Sequence, residues 1–250
     1  MNAFEALAIF LAGGVAGAVN TVVGSGTLVT FPVLLAFGYP PLVANVSNTI
    51  GLVPGSVAGA VGYRRELAEQ RRTSLLVRLA AASVIGALSG ATLLLALPAG
   101  AFKPIVVIFI ALALGLIVAQ PRIAAHSARR GRGGLGRRPA TAATFASGAY
   151  GGYFGAAQGI LLLAILGLTL DDDLRRVNAV KVVLAGLVNL VAGVLFMIVA
   201  HVAWLAALLI AAGSILGGLA GARAGRRLPA TAVRGLIIIV GLTAILRLIL

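Results

Sequence analysis

Lys181 sits about one and a half turns into a run of apolar residues, three positions after Asn178. A cation in such a run is costly and so marks a functional site, and its charge selects an anion as partner. The alternative is a side chain that snorkels to the membrane surface beside Arg175 and Arg176. The first half of the chain repeats the pattern. Asn45-Val46-Ser47-Asn48 aligns with Asn178-Ala179-Val180-Lys181, and each quartet opens a long apolar segment. Residues three apart share a helix face, so one quartet offers two amides and the other an amide and an ammonium. Asn20, Thr49 and Asn189 are further polar candidates for contact with the same solute.

Ahead of each quartet stands a break. Val23-Gly24-Ser25-Gly26-Thr27 interrupts one apolar tract and Gly151-Gly152-Tyr153-Phe154-Gly155 the other. Unpaired backbone is so costly in hydrocarbon that non-helical segments survive only where protein buries them or where they line a cavity. The half-helix after each break starts with free N–H groups and a partial positive charge, which suits an anion. Thr27 and Gln158 stand where a side chain adds a hydrogen bond. Glycine-interrupted segments at corresponding places in two halves point to the substrate site of a transporter.

The elements that carry these residues must lie in lipid. No charged side chain occurs from Ala6 to Tyr63 or from Pro139 to Leu170. Hydrophobic residues make up 60% of the chain and charged ones 10%, against about 25% charged in soluble domains. The net charge of +14 comes from 20 Lys and Arg, grouped mostly in short clusters between apolar tracts. That placement is the pattern of cytoplasmic loops and argues against a nucleic-acid partner, whose sole support is the Arg/Gly stretch from Arg129 to Arg138. With no cysteine and only His126 and His201, thiolate and histidine metal sites are excluded, and no cofactor is expected. Asp171-Asp172-Asp173 reads as a solvated helix cap. Glu5 stands where a signal peptide would be basic, so the first apolar segment is expected to remain in the mature protein.

Apolar segments fall at 4–23, 26–37, 41–63, 75–97, 103–120, 140–155, 157–169, 177–199, 202–222 and 229–249. A helix needs about 20 residues to cross a bilayer, so 26–37 and 157–169 are half-helices. The expected organisation is an N-terminal repeat (1–120), a cytoplasmic Arg/Gly linker (121–139) and a C-terminal repeat (140–250). If each broken segment crossed once, there would be eight spans, with Arg175, Arg176, Arg223, Arg226 and Arg227 outside. If each is a re-entrant hairpin, every basic cluster falls on one side, and only Lys103 and Arg247 remain near the other. The fold class is therefore an all-α polytopic membrane protein of two inverted repeats, each a broken, re-entrant hairpin plus three transmembrane helices. Whether 4–23 spans fully or forms half of a hairpin stays open. Gly51-x3-Gly55-x3-Gly59, Gly86-x3-Gly90 and Gly213-x3-Gly217-x3-Gly221 are close-packing faces, and Trp204 beside His201 is an interfacial anchor.

These residues, in this order, resemble the TauE/SafE family of sulfite exporters, also called TSUP transporters, over nearly the whole chain. Its first signature runs from Gly13-Gly14 through Gly24-Ser25-Gly26-Thr27-Leu28 to Pro32, then from Asn45 to Gly59. The second is Gly148-Ala149-Tyr150-Gly151-Gly152-Tyr153-Phe154-Gly155, then Asn178-Ala179-Val180-Lys181. The resemblance implies outward movement of small organosulfur anions, such as sulfite or sulfoacetate, across a bacterial inner membrane. The glycine-rich turn common in the second half is Ala156-Ala157-Gln158-Gly159 here, which puts pocket shape and substrate in question.

The leading expectation is a multi-pass secondary transporter working by alternating access, not an enzyme, with a small anion and the bilayer as partners. Assembly as a homodimer is left open. Apart from Glu5 and Asp171 to Asp173, no carboxylate enters an apolar tract, so a proton relay has little to work with and export can run on the membrane potential. A permease for another small anion or solute is the nearer alternative. An intramembrane serine hydrolase using Ser25 is the rival of another class, and it needs a base at matching depth.

Overall fold

The computed structural model describes residues 1–69, 73–129, 135–170, 172–224 and 230–249. Among them the regular elements are helices: α1 (Ala3–Val22), α2 (Thr27–Ala36), α3 (Pro41–Gly62), α4 (Arg64–Ala68), α5 (Thr73–Ala96), α6 (Ala99–Arg129), α7 (Arg137–Tyr153), α8 (Gln158–Thr169), α9 (Leu174–Val199), α10 (Trp204–Ala224) and α11 (Ala230–Ile249). Five stretches, in α1, α5, α6, α9 and α10, are long and apolar enough to cross a membrane. α3 has the length but carries inward-facing Asn45, Ser47, Asn48 and Ser56, which lower its hydropathy.

Local chemistry sets the helix ends. Asn2 and Glu5 form a capping box at the start of α1, the Asn2 side chain accepting from the Glu5 N–H at 2.8 Å. Asp173 Oδ1 accepts from the N–H groups of Arg175 and Arg176, both at 2.9 Å, so the acidic triplet does supply a cap. Asp171 lies outside the described residues. α6 continues through Pro121 to Arg129, so the first part of the expected linker is helical, and 130–134 lie outside the described residues.

Each broken segment is a hairpin. At its outer end α1 lies against the end of α2: Phe4 meets Phe37 edge-on, with ring centroids 6.3 Å apart, and Tyr39 Oη donates to Met1 Sδ. α7 likewise begins where α8 ends, the Leu135 N–H donating to Leu168 O at 2.9 Å. α1 is long enough to cross, and it does run deep, with Thr21 level with Gly59 near the end of α3. The turn at Gly24 then sends the chain back to the face it came from.

The two hairpins enter from opposite faces. α1 and α3 both run parallel to α10, as shown by Gly13 against Ile210, Gly17 against Ser214, Ser47 Oγ on the Ala203 N–H, and Gly62 against Ala222. α9 runs the other way along α3, pairing Val182 with Gly59 and Gly193 with Ile50. α3 therefore ends, and α9 and α7 begin, on one shared face. Arg64, Arg65, Arg175, Arg176 and Arg223 gather there around one cavity, and Arg78 lies beside Arg138. Exposed Lys103 and Trp204 stand at the opposite end.

Packing repeats under exchange of the halves. α1 packs on α10 as α7 packs on α5, and α2 meets α11 as α8 meets α6. Gly17 on Ser214, Gly217 on Gly14 and Gly221 on Ala18 have as counterparts Gly148 on Ser83, Gly86 on Phe145 and Gly90 on Ala149, at one constant offset in sequence. At these points backbone meets backbone, which is how helices associate in lipid without a hydrophobic driving force.

Candidate functional site

The site grows out of the two hairpin tips. α1 stops because Gly24 adopts φ +86, where the Val23 and Gly24 N–H groups both turn back to Val19 O. Its last carbonyls are thereby left without partners inside the helix. Lys181 supplies them: its Nζ donates to Asn20 O and to Thr21 O, both at 3.0 Å. Asn178 Nδ2 donates to Thr21 O at 3.1 Å and to Tyr63 Oη at 2.9 Å. The ammonium is 0% exposed, so Lys181 does not snorkel toward Arg175 and Arg176. A cation at a helix C-terminus faces the negative end of the helix dipole, which offsets part of its desolvation.

The α7 tip is built the same way with fewer partners. Gly155 takes φ +74, the Phe154 and Gly155 N–H groups turn back to Tyr150 O, and Asn45 Nδ2 from the first repeat donates to Tyr153 O at 3.0 Å. The first amide of each quartet thus caps the broken helix of the other repeat. Asn48, aligned with Lys181, stays in its own repeat: its Nδ2 donates to Thr27 Oγ1 at 3.3 Å and its Oδ1 accepts from Thr30 Oγ1.

The tips touch. The Gly159 N–H donates to Gly24 O at 3.0 Å, Phe31 meets Phe154 edge-on at 5.1 Å, and the Cα atoms of Gly24 and Gly159 leave no room for a Cβ on either. No solute can pass between them in this conformation. Several of the expected free N–H groups at the half-helix starts are already bonded. Leu28 bonds Ser25 O, Val29 and Thr30 bond Gly26 O, Gln158 bonds Gly155 O, and Gly159 bonds Gly24 O. Buried N–H groups find whichever acceptor is near, and the tight turns and the opposite tip provide it.

Other expectations shift as well. Gln158 folds back on its own hairpin, donating to Ser147 O at 3.1 Å beside Gly151. Thr49 Oγ1 returns to Asn45 O within α3. Asn20 contributes its carbonyl to Lys181, while its amide reaches Ser56 Oγ at 3.5 Å. Asn189 is half-buried on α9 and hydrogen-bonds to neither tip. Ala157 holds a left-handed conformation, φ +58, that glycine adopts without strain. This is the position at which the resemblance departs.

Buried polar atoms without a partner collect around the tips: Ser25 Oγ, Tyr153 Oη, Ser147 Oγ, Asn45 Oδ1 and Asn178 Oδ1. Such orphans are rare in folded proteins and call for a solute, water or a second conformation. Ser25 Oγ has no hydrogen-bond partner among the described residues, and His201 is exposed at the far face. The sequence reading missed Tyr63, Thr21, Thr30 and Ser56. Tyr63 was visible as the aromatic that closes the first uncharged tract, and Thr30 as the hydroxyl three positions after Thr27.

A sequence model described as "Sulfite exporter TauE/SafE" matches residues 9–248. A "Probable membrane transporter protein" of Haemophilus influenzae is 25% identical over 236 residues, covering 92% of this chain and 89% of its own. "Probable membrane transporter protein YfcA" of Escherichia coli is 26% identical over 217 residues, 86% of this chain and 78% of its own. "Probable membrane transporter protein ORF9" of a Sinorhizobium species is 28% identical over 262 residues, 99% and 94% of the two chains. No solved structure gives a significant match.

Proposed function

The chain belongs to the TauE/SafE sulfite exporter family of membrane transporters, and we propose that it exports small sulfur-containing anions, sulfite or a sulfonate such as sulfoacetate, by alternating access between the two hairpin tips. The observation that carries this reading is Lys181. Its ammonium is fully buried, its hydrogen-bond partners are two neutral backbone carbonyls, and no carboxylate among the described residues pairs with it. An uncompensated interior cation favours an anion over a cation or a neutral solute. The Ser25 and Tyr153 hydroxyls, buried and without partners, are further donors available near the tips.

Passage requires the tips to part. Separation frees the Gly159 N–H from Gly24 O and so exposes a half-helix start to the solute. With the basic face cytoplasmic by the positive-inside rule, the membrane is a bacterial inner membrane and the solute leaves a negative interior. That movement gains about 2.3 kcal/mol per charge per 100 mV. The carboxylates of the described residues lie at the two faces, Glu5 on one and Glu66, Glu69, Asp172 and Asp173 on the other, so the membrane potential is the drive.

Efflux of sulfite, sulfoacetate and an unrelated carboxylate from proteoliposomes tests the reading. Lys181→Gln should slow sulfite efflux by about tenfold or more, the equivalent of about 1.4 kcal/mol of lost stabilisation. Undiminished flux in that variant would remove Lys181 from the path. A strict need for a proton or sodium gradient would remove the potential as sole drive.

A further inference from the structure

On the basic face, above Asn178, lies a cavity of about 550 Å³. Five guanidinium groups line it, those of Arg64, Arg65, Arg175, Arg176 and Arg223, together with the carboxylates of Glu66, Glu69 and Asp173. Arg176 is taken, held by Glu69 at 2.6 Å and Asp172 at 3.0 Å, and Asp173 is occupied in capping α9. Arg64, Arg65, Arg175 and Arg223 form no ion pair with a described carboxylate, so the cavity keeps an excess of positive charge.

A polar track leads down from it. Arg175, Asn178 and Lys181 follow at intervals of three on α9, so neighbouring members share a helix face while the row winds by about 60° per step, each step about 4.5 Å deeper. Tyr63, which follows the cavity residue Gly62, accepts the Asn178 amide at the middle rung. Guanidinium and ammonium are donors for an oxyanion, and the Asn178 amide joins them once it leaves Tyr63 Oη.

We infer that this cavity is a separate oxyanion-binding antechamber, with Arg64, Arg175 and Arg223 as its ligands, from which the anion descends past the Tyr63–Asn178 contact to Lys181. Its role rests on the anion-transport reading above; its binding does not. A shallow, charged station of this kind concentrates anions and speeds entry without altering the translocation step, and salt screens it over about 8 Å at physiological ionic strength.

The test uses the full chain with Arg64, Arg175 and Arg223 all changed to Gln, beside Lys181→Gln and wild type. Calorimetric titration with sulfate in detergent should show binding in wild type and in Lys181→Gln, and at least tenfold weaker binding in the triple variant. In proteoliposomes with the basic face towards the sulfite supply, the triple variant should raise KM about tenfold, keep the maximal rate and lose its salt dependence. Lys181→Gln should do the reverse, lowering the maximal rate. All three arginines are exposed, so an unchanged melting temperature will show that the triple variant is folded. Equal sulfate affinity in wild type and triple variant, or an unchanged KM, overturns the antechamber. Sulfate binding lost in the triple variant, with no anion flux from wild type, would keep the cavity as an anion site and overturn both the antechamber role and the transport reading.

Discussion

The α1 tip and the α7 tip occupy equivalent places in the two repeats, yet they are held differently. Two side chains of α9 close the first, the Lys181 ammonium on two carbonyls and the Asn178 amide on one of them. A single amide, Asn45, closes the second. At the position of Lys181 the other half has Asn48, which turns to Thr27 and Thr30 in its own hairpin. Duplication supplied one architecture. Divergence at one rung then placed a buried lysine on the α1 tip and left the α7 tip with a single capping amide.

The largest effect should come from the contact that the tips share. Gly24→Ala drives a Cβ into the Gly159 backbone at a positive φ, whereas the same change at Gly155, also at positive φ, meets only Gly151 O at 3.0 Å. Sulfite efflux should vanish for Gly24→Ala, with a melting temperature in detergent well below that of Gly155→Ala. Equal losses would mean that the tips are not in contact in the membrane. Lys181→Met comes next, because it leaves Asn20 O without its donor at a cost of about 1–3 kcal/mol and removes the interior charge.

Asn45→Leu should also cost about 1–3 kcal/mol, since nothing else is bonded to the Tyr153 carbonyl from outside its hairpin. Asn178→Leu should cost less, because Lys181 still holds Thr21 O. The double variant Asn178→Leu/Lys181→Met should then lose more than the sum of its parts, a coupling that a double-mutant cycle in thermal melting reads directly. Additive losses would show that the two side chains do not share the α1 tip. Smallest of all is Tyr63→Phe, which removes one acceptor from an amide that keeps another. Its stability in thermal melting should change little, by within about 1 kcal/mol.

Much of this was legible beforehand for identifiable reasons. The breaks at Gly24 and Gly155 and the short helices after them were readable because glycine interruptions in uncharged tracts have few physical explanations. Re-entry followed from the arginine clusters, and the contacts of Phe4 with Phe37 and of Leu135 with Leu168 agree with it. Gln158 and Asn189 could be named as polar candidates but not given partners, because a side chain's partner depends on neighbours that spacing does not specify. Gln158 found Ser147 O close behind it, and Asn189 found neither tip.

The sequence by itself determined that this chain lives in lipid, where its helices break, and which of its faces is basic. Those properties follow from uncharged length, glycine and the placement of arginine along a single strand of residues. Only the tertiary structure decided that Lys181, Asn178 and Asn45 reach across to the carbonyl ends of the other repeat's broken helix. A helix C-terminus leaves its last carbonyls seeking donors, and which donor arrives is fixed by how two distant segments pack.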